Sequence, residues 1–245
     1  MAYFAIAFVG NGGLLRDLAA ALSLMGGGEM IQAVAFDLGG TLLEFRGMPP
    51  DWSSYYPAGL EEAGRALGLH PSAQEIGEAA EILRGYNPRV RYREEEIPPE
   101  RIFADAVKGW AVKPETRALI DAFFAGLHLE AATYGYAAGL LERCRRRGYR
   151  TACLTDLPNG MPDQLFRPAV GEIEGGLDLY ASSQTCGVRK PNPGGLLYIA
   201  AQFGLSPAGI LFVGDEEKDR RTAERAGCPF AWIQDFLAGE GGELG

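Results

Sequence analysis

From Thr133 onward, short apolar runs alternate with helical stretches of ten or more residues, and this alternation limits the available folds more than any other feature of the chain. The strand-like runs are Arg150–Thr155, 177–181, Ile210–Gly214 and 230–233. Helical spacing fills 193–203 and Glu217–Ala226 between the later runs, and 136–147 before the first. In that first stretch Arg143, Arg145, Arg146 and Arg147 suit the negative end of a helix dipole, and Gly148 stops the helix. Strands with connections of this length pair in parallel through right-handed crossovers, which predicts an α/β fold built on a doubly wound parallel sheet.

An earlier run, 31–37, is short, apolar and β-branched in part, and it ends at Asp37 just ahead of Gly39-Gly40. It reads as a buried strand feeding a turn. From 49 to 131 the spacing is helical, broken at 68–71, 85–88, 98–99 and Pro114, with no strand-like run. The expected organisation is a core of residues 30–46 and 133–245 with an inserted all-α cap at 47–132. A chain of 245 residues can hold such a pair, since single cores stop growing near roughly 250–300 residues. With 47% apolar and 22% charged residues it has ample material to bury.

The formal net charge of −9 repels nucleic acid and anionic membrane surfaces, which excludes both as expected partners. Cys144, Cys153, Cys186 and Cys228 form no Cys-x-x-Cys pair, and His70 and His128 complete no zinc spacing, so reduced thiols and a cytoplasmic location are expected. The N-terminal apolar stretch is interrupted by Asn11, Arg16 and Asp17, well short of the roughly 20 residues that span a bilayer, and it lacks the basic start of a signal peptide. Gly26-Gly27-Gly28-Glu29 must be encoded by GGN-GGN-GGN-GAR, a purine-rich stretch like a bacterial ribosome-binding site, directly before Met30. Translation is therefore expected to begin at Met30, with residues 1–29 either not native or a poorly ordered arm. Val9-Gly10-Asn11-Gly12-Gly13 is similar to a dinucleotide-binding turn, but Leu15 replaces its third glycine.

In an open parallel sheet, ligands bind beyond the carboxyl ends of the strands. Asp37, Thr155-Asp156 and Asp215 fall there, Asp219 follows four residues on, and Arg189-Lys190-Pro191 lies on the loop after the 177–181 run. Together they supply a nucleophile, a hydroxyl, a cation and acidic metal ligands. Four segments carry them: Ala35-Phe36-Asp37-Leu38-Gly39-Gly40-Thr41-Leu42, Cys153-Leu154-Thr155-Asp156, Gly187-Val188-Arg189-Lys190-Pro191-Asn192-Pro193, and Phe212-Val213-Gly214-Asp215-Glu216-Glu217-Lys218-Asp219. In this order they resemble the four motifs of the haloacid dehalogenase-like superfamily, and the helical insert sits where such enzymes carry a substrate-capping domain.

The resemblance implies a phosphatase in which Asp37 attacks phosphorus and forms a covalent intermediate. It implies magnesium held by Asp37, Asp215 and the backbone carbonyl of Gly39, with Asp219 anchoring a metal-bound water or Lys190. Thr155 and Asp156 would lie beside the phosphoryl group, with Thr155 donating to it and Lys190 offsetting the crowded negative charge. The implied substrate is a small phosphorylated metabolite, a sugar phosphate or nucleotide.

Two positions depart from the family pattern. Gly39 stands where family phosphatases carry the aspartate that protonates the leaving alcohol, a role typically worth roughly 10²–10⁴-fold in rate. Asp156 stands where the family often has asparagine, and its carboxylate would repel a phosphate unless a cation pairs with it. Two alternatives follow from Gly39: a metal-free 2-haloacid dehalogenase, whose halide leaves unprotonated, and a binding protein that has lost turnover. Asp37-Leu38-Gly39-Gly40-Thr41 is also similar to the first phosphate loop of sugar kinases and actin-like ATPases, but no second loop of that kind follows. Within the insert, Arg84, Arg89, Arg91 and Arg93 read as a solvated face paired with Glu94-Glu95-Glu96, and Trp52, Tyr55 and Tyr56 as core aromatics. His70 and His128 are assigned no chemistry.

Overall fold

The computed structural model describes residues 30–49 and 51–240, so the expectations for residues 1–29 lie outside the described residues. Five strands form one parallel sheet in the order β5-β4-β1-β6-β7: β1 Ala33–Phe36, β4 Arg150–Thr155, β5 Leu179–Ser182, β6 Ile210–Gly214 and β7 Phe230–Trp232. The four residues of β1 are fully buried because the strand is central and helices cover both faces, which is why its sequence is a continuous apolar run. Strand order reverses where β1 meets β6, and that reversal opens the crevice in which a doubly wound sheet binds ligands.

The pleat sends successive β1 side chains to opposite faces. Val34 and Phe36 join a cluster that includes Leu140 and Leu141 of α5 (Ala137–Arg146) and Phe236 of α8 (Ile233–Glu240). Phe36 meets Phe236 edge to face, with ring centroids 5.9 Å apart. Ala33 and Ala35 face the other way, onto Leu196 and Ile199 of α6 (Gly194–Phe203) and Ala223 of α7 (Glu217–Ala226). Full burial of a side chain the size of Phe36 contributes about 1.5–3 kcal/mol.

The insert contributes four helices: α1 Tyr56–Ala66, α2 Ala73–Tyr86, α3 Pro99–Ala106 and α4 Thr116–Gly126. A capping box starts α2, with Glu75 N–H donating to Ser72 Oγ at 3.3 Å and Ser72 N–H to Glu75 Oε2 at 2.7 Å. Helices α1 and α4 cross closely at Gly59, where an added Cβ would lie 2.7 Å from the Phe123 ring. The T-shaped ring pair Phe103–Phe123 joins α3 to α4, and Phe124 stands edge-on to Phe123.

Sequence reasoning missed two strands. β2 (Leu43–Phe45) and β3 (Ala131–Thr133) pair antiparallel where the chain leaves the core and returns to it, and the bond from Tyr134 N–H to Leu42 O, 3.0 Å, extends the pairing. Each strand has three residues, too few for a period of two to register. Their pairing brings both ends of the insert together at the rim of the crevice.

Candidate active site

A cavity of about 710 Å³ opens at the carboxyl ends of β1, β4 and β6, with the cap on its far side. Asp37 directly follows β1 and is 4% exposed, and its backbone N–H donates to Val213 O of β6 at 2.8 Å. The turn that follows is made by Gly40 at φ +79°, a left-handed conformation suited to glycine. An added Cβ there would lie 2.2 Å from Asp215 Oδ2, so the residue must be glycine for a second reason. Thr41 Oγ1 donates to Asp215 Oδ1 at 3.2 Å and links the turn to the end of β6. At Gly39, by contrast, an added Cβ meets nothing within 4 Å.

Lys190 arrives from the opposite wall, buried, with its Nζ 2.6 Å from Asp37 Oδ1 and 2.6 Å from Asp219 Oδ1. Asp219 lies in the first turn of α7, where its Oδ2 accepts from Glu216 N–H at 2.9 Å, so both of its oxygens are engaged. Burial pushes the Asp37 carboxyl up to about 7, opposed by the Lys190 charge and reinforced by Asp219. Burial would lower Lys190, but Asp219 and Asp37 override it and hold the ammonium well above the usual lysine range. Asp215, half-buried, is raised by desolvation and then by Asp219 and Glu216.

Oxygens of Asp37, Asp215 and Asp219 all lie within 4.8 Å of one another. Three carboxylates against one ammonium leave a charge of −2, the charge that a divalent cation cancels, and oxygen-only donors suit a hard cation. Thr155, at the end of β4, is buried and lines the same cavity. The structure resolves the repulsion expected at Asp156. Its Oδ1 accepts from Lys190 N–H at 3.0 Å and its Oδ2 lies 3.7 Å from Lys218 Nζ. Although burial raises it, Arg189, Lys218 and Lys190 together hold this carboxyl below the usual range.

Over residues 31–227 the sequence matches the family described as haloacid dehalogenase-like hydrolase. The chain belongs to that family. Phosphoglycolate phosphatase of Aliivibrio fischeri is 28% identical over 220 residues, 86% of this chain and 88% of its own length. Phosphoserine phosphatase of Thermus thermophilus is 33% identical over 144 residues, 58% of this chain and 56% of its own. The crystal structure of a HAD phosphatase from Thermococcus onnurineus shares the fold, at 19% identity and a TM-score of 0.53 over 82% of this chain and 86% of that one. The protein is thus a haloacid dehalogenase-like hydrolase with an α/β core and a helical cap.

All seven residues singled out from the sequence line this hydrolase's cavity or reach it through a partner: Asp37, Gly39, Thr155, Asp156, Lys190 and Asp215 line it directly, and Asp219 reaches it through Lys190. Others went unread. Arg189 Nη1 pairs with Glu96 of the cap, and its Nη2 donates to Leu157 O at 2.6 Å. Residues 94–96 run antiparallel to 187–189, with Arg189 N–H donating to Glu94 O at 2.8 Å and Glu96 N–H to Gly187 O at 3.1 Å. The reading of Arg89 and Arg93 as a solvated face paired with Glu94-Glu95-Glu96 is corrected for Arg89, whereas for Arg93 the pairing holds and the solvated setting does not. Arg89 pairs with Glu216 of the core at 2.6 Å, Glu94 with Arg225 at 2.9 Å, and Arg93 lies largely buried 3.6 Å from Glu96. Tertiary docking puts opposite charges across the seam that local spacing had put side by side. Trp52 and Tyr56 pack against the core and line the cavity as well, with Trp52 edge-on to Phe45 at 5.3 Å.

Proposed function

We propose that the chain is a magnesium-dependent phosphatase of a small phosphomonoester, acting through an aspartyl-phosphate on Asp37, with residues 47–132 as a cap over a core of 30–46 and 133–245. The observation that carries this reading is the single buried ammonium of Lys190 shared at 2.6 Å between Asp37 and Asp219. It holds the Asp37 carboxylate at the floor of the crevice, facing the cavity, and offers one cation to an incoming phosphoryl group. The phosphatases among the relatives support phosphorus as the centre attacked.

Asp37 and Asp215 would hold magnesium with the Gly39 carbonyl, and Asp219 would act chiefly by fixing Lys190. The ion would supply charge neutralisation on the transferring group. Thr155 would donate to a phosphoryl oxygen, and the cap would exclude water from the cavity. The four cysteines, none of them in a disulfide among the described residues, support a reducing compartment, hence a cytoplasmic enzyme. Among the described residues no helix is long and apolar enough to cross a membrane.

One observation favours a second reading. Gly39 offers no proton, which suits a 2-haloacid dehalogenase. The Asp37-Asp215-Asp219 cluster argues against it, because a reaction without metal has no use for that much negative charge. The deciding measurement is phosphate release from a phosphomonoester panel, with and without magnesium, for wild type and Asp37→Asn. Magnesium-dependent release that Asp37→Asn abolishes is the expected result. Halide release from 2-haloacids without phosphate release would overturn the phosphatase reading in favour of the second one, and binding with neither would leave a protein without turnover.

A further inference from the structure

Gly39 leaves the leaving group without an obvious proton donor, and the neck of the cap brings another carboxyl to the same cavity. The Gly39-Gly40 turn is closed by β2, with Gly39 bridged to Leu43 and Gly40 N–H donating to Leu43 O at 2.9 Å. Leu43 is buried, so the pleat turns the next residue, Glu44, outward to line the cavity together with Asp37, Gly39 and Gly40. Tyr134, next to β3, donates its phenol to Glu44 Oε2 at 3.1 Å. Its ring stacks on Tyr136 with centroids 5.5 Å apart and planes at 15°, and Tyr136 donates to Thr41 O at 2.7 Å. Glu44, Tyr134 and Tyr136 therefore wrap the turn that lacks a carboxyl, and the space above Gly39 is open for a group to enter.

The other carboxyls of the cavity are committed elsewhere. Asp156 is held by Lys190 N–H and Lys218, Glu216 by Arg89 and Lys218, and Glu217 by Arg220. Asp37 and Asp215 belong to the nucleophile and cation cluster. Among the described residues Glu44 has no cationic partner, and its side chain is held only by the Tyr134 phenol. Burial, the bond to Glu44 and the Asp215 charge all push the Tyr134 phenol upward, so it keeps its proton and serves as a fixed donor that orients Glu44.

We propose that Glu44 is the general acid and base of this enzyme, oriented by Tyr134, in place of the carboxyl missing at Gly39; this rests on the phosphatase reading above. In the first step an Asp37 carboxylate oxygen bonds to phosphorus, the bond from phosphorus to the ester oxygen breaks, and the Glu44 carboxyl proton passes to that oxygen, releasing the alcohol. In the second, the Glu44 carboxylate takes a proton from water as the water oxygen bonds to phosphorus, and the bond from phosphorus to Asp37 breaks to release phosphate. Tyr134 acts through Glu44 and is a positioning residue.

The test exploits leaving-group chemistry, because a donor matters most when the departing oxygen is a strong base. Turnover of glycerol 3-phosphate and of p-nitrophenyl phosphate is compared in wild type, Glu44→Gln and Tyr134→Phe. Glu44→Gln is expected to lose on the order of 100-fold on the alkyl ester and only a few-fold on the nitrophenyl ester, so that the ratio between the two changes by more than tenfold. Tyr134→Phe is expected to shift the ratio the same way by less. Equal losses on both esters, or none, overturn the role of Glu44 while wild-type release stands. If wild type releases phosphate from neither ester, the phosphatase reading falls and this inference falls with it.

Discussion

The cap meets the core along two seams of opposite character. Beside Lys190 the seam is buried: Arg189 and Glu96 face each other with side chains 5% and 6% exposed, flanked by backbone hydrogen bonds between 94–96 and 187–189. At the outer edge it is wet: Arg89–Glu216 and Arg225–Glu94 have side chains 26–42% exposed. Charges of the same kind therefore do different work. Desolvated partners depend on each other because neither can turn to water. Exposed partners exchange one well-hydrated arrangement for another and are further screened by salt. The buried seam ties the cap to the loop that carries Lys190, whereas the outer one mainly orients the cap.

The largest effect should come from breaking the buried seam. Arg189→Met leaves the Leu157 carbonyl without its partner and Glu96 with only the longer ion pair to Arg93, and is expected to destabilise the protein by about 3–5 kcal/mol in urea unfolding. A loss under about 1 kcal/mol would erase the distinction between the two seams.

A second, intermediate effect concerns the core wall itself. Burial holds the Asp37 carboxyl at about 7 in the fold, against the usual 3.8 in the unfolded chain, so between these values the folded state holds the extra proton and the stability due to this group falls as pH rises. Without divalent cations, the stability of Asp37→Asn relative to wild type should therefore increase from pH 4 to pH 7, read as a growing difference in Tm. Magnesium at 100 times its Kd should stabilise wild type by about 2.7 kcal/mol and do much less for the variant. A constant Tm difference across this range would mean that Asp37 is not desolvated as described.

The smallest effect belongs to the outer seam. Arg89→Ala and Arg225→Ala should each cost less than about 1 kcal/mol, and less still in high salt. A loss as large as that of Arg189→Met in either variant would move the structural anchor of the cap to the cavity mouth.

The buried strands were legible because a parallel sheet covered on both faces demands apolar runs, and β1 and β6 supply them throughout while β4 does so over 152–154. Their ends were legible for the same reason, since Asp37, Thr155 and Asp215 each stand where an apolar run stops. The neck strands β2 and β3 were not, because three residues do not establish an alternation. Glu44 was passed over with them, since nothing in the local sequence turns it toward the cavity.

Sequence by itself determined the strand and helix succession, the class of sheet that succession requires, and the carboxylates and lysine that a crevice at the strand ends would collect. These follow from local polarity and spacing, which act along the chain. Only the tertiary structure decided which charges are partners: that Asp156 is held by Lys190 N–H and Lys218, that Glu96 reaches Arg189, and that among the described residues Glu44 has a phenol and no cation. Charge pairing depends on distance and on exclusion of water, and both are set by how remote segments pack.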